Sequence, residues 1–456
     1  MKFRIAVLLS AWVLGLLPAA AHAELAQEFM LKNGMKVVVK EDHRAPTVAH
    51  MIWYKTGAMD ETNGTTGVAH VLEHMMFKGT KTLKPGEFSR KVAELGGREN
   101  AFTSKDYTAY FQQVEKSKLE KVMALEADRM ANLILDKEEF SREIRVVMEE
   151  RRWRTEDQPI PLVYEALNAI AFNAHPYHHP IVGWMSDLQS MTVQDAKAWH
   201  DRWYAPNNAV MVVTGDVDPK RVHALAEKYF GKIPRKAVPA TKPQEEPAQR
   251  GIRRVTVKAP AENPYVVLAF KAPRLRDVEK DDESHALDVL AAILDGYDNA
   301  RLNAKLVRTD KVANSVGAGY SNIARGPVLF LLDGTPANGI TTEQLEKMLR
   351  AEVERIAKEG ISEQELKRVK TQLIAGQVYK RDSIFGQAME IGTMETTGLS
   401  HTKIDRIIDK LRNVTAEQVQ AVAQKYFSDE ALTVATLVPL PLSEKKTPAP
   451  AKGLRH

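Results

Sequence analysis

Apolar and polar residues alternate at Phe29 and Leu31, and again at Val37 and Val39, on either side of Asn33-Gly34. A period of two flanking a favoured two-residue turn predicts a β-hairpin. The β-prone run Val48 to Tyr54 predicts a further strand. Asn100 to Ser104 and Tyr107 to Phe111 predict two more around Lys105-Asp106. The period then changes. Ser117 to Leu135 reads as helix, and so does Lys137 to Trp153, where Phe140, Ile144, Val147 and Met148 recur at i, i+4, i+7 and i+8. Pro85 predicts a helix start and Gly96-Gly97 its end.

The same order of signals comes twice. Thr192 predicts the cap of a helix ending at Trp203-Tyr204, and Ala205-Pro206-Asn207-Asn208 turns into the strand Ala209 to Gly215. About 220 residues later Thr415 caps a helix ending at Tyr426-Phe427, before the strand Leu432 to Val438. This is internal duplication. Tyr265 to Phe270 and Val328 to Leu332 are strand-like. Leu345, Met348, Leu349 and Ile356 form a helix face closed by Gly360, and Ser362-Glu363-Gln364-Glu365 reads as a capping box. Residues 236–250 are rich in Pro, Ala and charge without apolar periodicity, and read as a linker. The expected division is therefore 24–235, linker, and 251–440. The fold class is α+β, with two homologous domains that each pack an antiparallel sheet against helices.

The ends read differently. Lys2 and Arg4 precede the apolar run Ile5 to Leu17, Pro18 breaks it, and Ala21-His22-Ala23 is a small-x-small cleavage site. Residues 1–23 read as a secretory signal peptide rather than an anchor, because the run is too short to span comfortably. A mature chain exported to a bacterial periplasm, with no membrane span, is expected. The tail 441–456 is Pro, Ala and Lys and is expected to be disordered. With 64 Lys+Arg against 59 Asp+Glu, charge is too balanced to argue for nucleic acid. There is no cysteine, which excludes disulfides and thiol chemistry.

The chemistry concentrates at His70-Val71-Leu72-Glu73-His74. Histidines four apart share one helix face, so both rings can reach one ion at about 2.0–2.1 Å. Glu73 borders that face, where a carboxylate can take a proton from water. His-x-x-Glu-His is the inverted zinc-peptidase pattern; the bland alternative is two core histidines and an incidental glutamate. A third ligand is needed. Glu139, Glu143, Glu149 and Glu150 on the Lys137 helix are the main candidates. At about 100° per residue, Glu143 and Glu150 lie together at the border of the apolar face and Glu149 points further out. His175, His178 and His179, in His-Pro-Tyr-His-His-Pro, have loop-like spacing and are read as a surface loop.

Around the motif stand Gly57-Ala58-Met59-Asp60-Glu61, Gly64-Thr65-Thr66-Gly67-Val68-Ala69 and Met75-Met76-Phe77-Lys78-Gly79-Thr80. With these flanks the chain, from about Glu28 to about Pro439, closely resembles the pitrilysin/insulysin family of zinc peptidases. The resemblance implies one zinc per chain held by His70 and His74, with Glu73 as general base. Glu143, Val146 and Glu150 match the family's Glu-x-x-Val-x-x-x-Glu context. That makes Glu150 the third ligand and Glu143 a supporting carboxylate. It also implies that the strand with Asn100 and Ala101 pairs with the backbone of an extended peptide or unfolded substrate; without the resemblance it would be an ordinary sheet edge. A clam shell of two halves around a chamber is the expected arrangement. The counterpart of the zinc helix, His285-Ala286-Leu287-Asp288-Val289, lacks the second histidine. Relatives use an arginine and a tyrosine of the second half to hold substrate. Here Arg308-Thr309 matches, but the tyrosine position is Ser315, preceded by Asn314, and Tyr320 lies about 16 Å further along a strand. The resemblance therefore implies a homologous partner chain that supplies an Arg/Tyr pair, with a homodimer as the alternative. A non-catalytic assembly member or a peptide-binding protein of the same fold remains the other class.

Overall fold

The computed structural model describes residues 26–240 and 242–442. The expected signal segment lies outside these, as does the expected tail beyond its first two residues. Among the described residues eleven strands form two sheets. The first comprises β1 (Gln27–Met30), β2 (Lys36–Glu41), β3 (Thr47–Tyr54), β4 (Arg98–Thr103), β5 (Thr108–Glu115) and β6 (Ala209–Gly215), in the order β1-β2-β6-β3-β5-β4. The second comprises β7 (Arg253–Pro260), β8 (Tyr265–Ala272), β9 (Ala313–Tyr320), β10 (Val328–Pro336) and β11 (Leu432–Leu440), in the order β7-β11-β8-β10-β9.

Strand for strand, β2-β6-β3-β5-β4 and β7-β11-β8-β10-β9 have the same directions, so the duplication extends to topology. Both sheets are mixed rather than antiparallel. β2 runs parallel to β6, with Val37 opposite Met211, and β7 runs parallel to β11, with Val255 opposite Ala435. A parallel pair needs a long crossover, so hairpin signals cannot register it. The expected hairpin pairs Phe29 with Val37. Pro85 stands before Gly86, the N-cap of helix Glu87–Glu94, instead of opening the helix. Ser362 accepts the Glu365 N–H at 3.2 Å, but the Glu365 carboxylate is gripped by Arg301 at 2.8 and 2.6 Å, so the box is not reciprocal.

Helices do not keep to one face of each sheet. Helix Pro159–Ala171, from the first half, packs on β7 and β11 of the second sheet. Helix Ile384–Thr396, from the second half, packs on β3 and β6 of the first. Each half lends one helix to the other. Trp53 is fully buried at the second of these contacts, with Ala388 and Ile391, and meets Tyr107 edge-on at 4.9 Å. A buried aromatic of about 150–250 Å² contributes roughly 4–6 kcal/mol at about 25 cal/mol per Å². Trp53→Ala is expected to cost about 3–5 kcal/mol, measured by denaturant unfolding.

The described residues of 236–250 form no helix or strand, yet they are docked. Glu246, its side chain covered, accepts the N–H groups of Asn173, Ala174 and His175 at 2.9, 2.9 and 3.0 Å and pairs with Lys271 at 2.9 Å. The histidine loop is likewise not a surface loop. His175 and His179 are buried, because Tyr177 between them tucks under Gly326 of the second half, donating to Asp106 and accepting the Gly326 N–H at 2.8 Å. Among the described residues no helix is long and apolar enough to cross a membrane.

Candidate metal centre

The motif lies on helix Val68–Met75, which has no side-chain cap of its own. Gly67 provides the left-handed turn into it, at φ 87°, and a Cβ there would stand 2.4 Å from the Val182 carbonyl oxygen. Only glycine fits such a position. N–H groups at and just before the start of the helix are met by two carboxylates from outside it. Glu61 accepts those of Gly67 and Ala69 at 2.8 and 2.9 Å. Asp187 accepts those of Gly64 and Thr66, both at 3.1 Å. These carboxylates set the helix orientation. The sequence reading missed both; Glu61 lay in the quoted flank, whereas nothing local marks Asp187.

The helix Lys137–Arg151, capped by Asp136, crosses beside it. His70 and His74 face each other with ring centroids 4.9 Å apart. The Glu150 carboxylate lies 3.8 Å from His70 Nε2 and 3.3 Å from His74 Nε2. One donor atom from each of the three lies within 4.8 Å of the others. Glu143 takes the far side of His74, at 3.2 Å from Nδ1, and is itself held by Lys78 at 2.7 Å. That bond leaves Nε2 of His74 turned to Glu150. Glu149 points to solvent and pairs with Arg152. Glu139 pairs with Arg142 at 2.7 Å. The cluster is thus on the side of Glu143 and Glu150, which helical spacing sets apart from Glu149 but does not tell from each other.

Electrostatics follow from these contacts. Burial works to raise Glu150, but the bond to His74 and the charges of His70, His74 and Arg154 outweigh it and hold the carboxyl at about 2. Burial likewise opposes the charged form of His74, and its bonds to Glu143 and Glu150 overcome that to lift it to about 9. Past Arg151 the backbone widens into a π-helical turn, Arg152–Glu156, which returns Arg154 to Glu150 at 2.7 Å. π-Turns of this kind leave no trace in apolar periodicity.

Glu73 borders the cluster. Its carboxylate accepts the Thr103 hydroxyl at 2.5 Å, and burial raises its pKa above the usual carboxylate value. Thr103 belongs to β4, the free edge of the first sheet. Asn100 and Ala101 lie on that edge; Asn100 is exposed and its side chain accepts the Ala101 N–H at 2.8 Å. Thr103 was not foreseen. In the second half, Arg308 is exposed in the turn Asn303–Thr309 and reaches Asn299 at 3.5 Å. Ser315 is exposed on β9, the free edge of the second sheet. Tyr320 is committed to the Pro273 carbonyl. His285 is buried in helix Asp282–Asp295, with Val289 where His74 has its equivalent.

Comparison with known proteins bears on the family. The pattern of Insulinase (Peptidase family M16) matches residues 36–183, and that of the Peptidase M16 inactive domain matches 190–373. Zinc protease PqqE of Helicobacter pylori is 33% identical over 444 residues, covering 94% of this chain and 98% of that protein. The chain belongs to peptidase family M16. A second relative of this M16 chain, the uncharacterized zinc protease YmxG of Bacillus subtilis, is 28% identical over 409 residues, covering 89% of this chain and 97% of that one. The crystal structure of a protease from Helicobacter pylori superposes with a TM-score of 0.86 at 32% identity, covering 91% of this chain and all of that one (100%). A peptidase M16 inactive domain from Pseudomonas fluorescens shares the fold, with a TM-score of 0.82 at 20% identity over 92% of this chain and 100% of that one.

Proposed function

We propose that this M16 chain is a zinc-dependent metalloendopeptidase acting on extended peptides or unfolded segments. The observation that carries the reading is the convergence of His70, His74 and Glu150, with Glu73 alongside, next to a free sheet edge. Two imidazoles and a carboxylate are a donor set for zinc, and three protein ligands leave a position open. Zinc there would supply Lewis acidity, making a water more acidic and polarising the scissile carbonyl.

The chain's own residues do the rest. Glu73 takes the proton of the attacking water and delivers it to the leaving amine. Thr103 fixes the Glu73 carboxylate, and Glu143 fixes the His74 ring. The β4 edge, with Asn100 and Ala101, pairs with the backbone of an extended peptide and so favours substrates without structure of their own. Digestion of peptides by the purified mature chain, with chelator and after zinc is restored, tests the reading by mass spectrometry. Cleavage that survives complete metal removal would count against it. Glu143→Gln is expected to lower metal affinity about 10–100-fold, read by zinc retention against a competing chelator.

The second half supports a two-chain enzyme. Arg308 is present, but Ser315 offers no phenol and Tyr320 is already bonded. The proposal is a homologous partner chain that supplies the Arg/Tyr pair, with units 24–235 and 251–440 in this chain. Activity alone is expected to be weak and to rise strongly on mixing with a homologue that lacks the zinc motif and keeps the pair. Full activity from this chain alone, indifferent to such a partner, would show that a monomer or homodimer suffices. The start of the chain favours export to the periplasm, which N-terminal sequencing of the mature protein tests.

A further inference from the structure

A cavity of about 670 Å³ opens at the joint between the two halves, apart from the metal centre. Its wall is formed by His175 from the first half, Arg274, Arg276 and Arg325 from the second, and part of the connecting segment around Lys242 and Glu245. Charge is not balanced across this wall. Arg325 is already used, its fork closed on Asp60 at 2.7 and 3.0 Å. Glu246 is used by Lys271 and three backbone N–H groups. Three cations, Arg274, Arg276 and Lys242, then face one exposed carboxylate, Glu245.

Arg274 is the informative member. Its side chain is half-buried and donates to the Ala324 carbonyl at 2.7 Å, and among the described residues it forms no ion pair. Burial, together with the neighbouring Arg276 and Arg325, pushes its guanidinium below the ordinary value. Asp106 and Tyr177 act in the other direction without pairing with it, and a partly desolvated cation that is not directly ion-paired is costly. At the inner wall, His175 Nδ1 accepts the Tyr177 N–H at 3.2 Å, so the neutral ring carries its proton on Nε2. Burial keeps the ring neutral, with a pKa of about 4. The ring occupies the space a side chain at Gly326 would need, its Nε2 lying 2.6 Å from where a Cβ would stand.

We propose that this cavity binds a small phosphate-bearing anion, gripped by the guanidinium forks of Arg274 and Arg276, with His175 Nε2–H as a neutral donor. Planar guanidinium forks match phosphate oxygens two at a time. The anion would give Arg274 a direct ion pair and tie the second half to the histidine loop of the first. That loop already holds Asp106 of the β4–β5 turn through Tyr177, so the ligand stabilises the joint behind the substrate-facing edge.

The test is thermal unfolding of the mature, metal-loaded chain titrated with inorganic phosphate, glycerol phosphate or chloride at matched ionic strength. A ligand that binds only the folded chain raises the melting temperature with a saturable dependence. The expected result is a saturable rise with phosphate and none with chloride; the stronger of the two phosphate probes tells free phosphate from a phosphate ester. The Arg276 side chain makes no bond within the described chain, so Arg276→Gln should melt normally without anion and lose at least about tenfold in apparent affinity, as expected for a lost bidentate contact. Glu245→Gln should tighten binding. No saturable rise, an equal rise with chloride, or an unchanged affinity in Arg276→Gln would overturn the proposal.

Discussion

Glu73→Gln is expected to retain zinc and fold while hydrolysis falls by about 10²–10⁴-fold, the usual worth of a general base. The geometry separates the two functions. Glu73 is not one of the three groups whose donor atoms converge, and its own bond runs sideways to Thr103 on β4. Glutamine keeps the size and can still accept from the Thr103 hydroxyl, so neither helix nor strand needs to move. What it cannot do is accept a proton. Turnover of a peptide and metal content are to be measured on the same preparation. Near-normal turnover by the zinc-loaded variant would remove Glu73 from the base role. Loss of zinc together with activity would instead make it a metal ligand or a structural group.

Glu150→Gln is expected to release zinc to a chelator that the unaltered chain resists, while Glu149→Gln retains it. The two residues are neighbours on one helix, so the pair controls for helix stability. The Glu150 side chain is 9% exposed and lies 3.3 Å from His74 Nε2, whereas that of Glu149 is 71% exposed and pairs with Arg152. An amide in place of Glu150 takes away a negative ligand and leaves two buried imidazoles facing each other. The loss should exceed the roughly 10–100-fold expected for a supporting carboxylate such as Glu143. The reverse pattern, with Glu149 essential, would mean that the helix turns differently in the metal-loaded chain.

How much of this was legible beforehand follows from the range of each interaction. The motif helix, its histidine spacing and the angular separation of Glu143 and Glu150 from Glu149 depend on one helix at a time, and helix geometry is set locally. The hairpin at Asn33-Gly34, the caps at Thr192 and Thr415 and the repeat they mark are local in the same way. The helices that hold the cluster together could be named from the sequence, but their crossing could not.

What only the tertiary structure decided involves partners far apart in the chain. The parallel pairs β2–β6 and β7–β11 join strands well over a hundred residues apart, and no periodicity encodes which strand arrives beside which. The exchange of helices Pro159–Ala171 and Ile384–Thr396 between sheets is invisible for the same reason: each is an amphipathic helix whatever it covers. His175 and His179 read as loop residues from flanking prolines, yet the approach of Gly326 buries that loop, and burial depends on what comes to rest on a segment. Thr103 at Glu73 and Asp187 at the motif helix are each a contact made by packing. The sequence by itself determined which side chains could do the chemistry, because spacing within each helix sets His70, Glu73 and His74 together on one and Glu143 and Glu150 together on the other. Folding decided what orients them, because those contacts form only when distant segments are brought into one core.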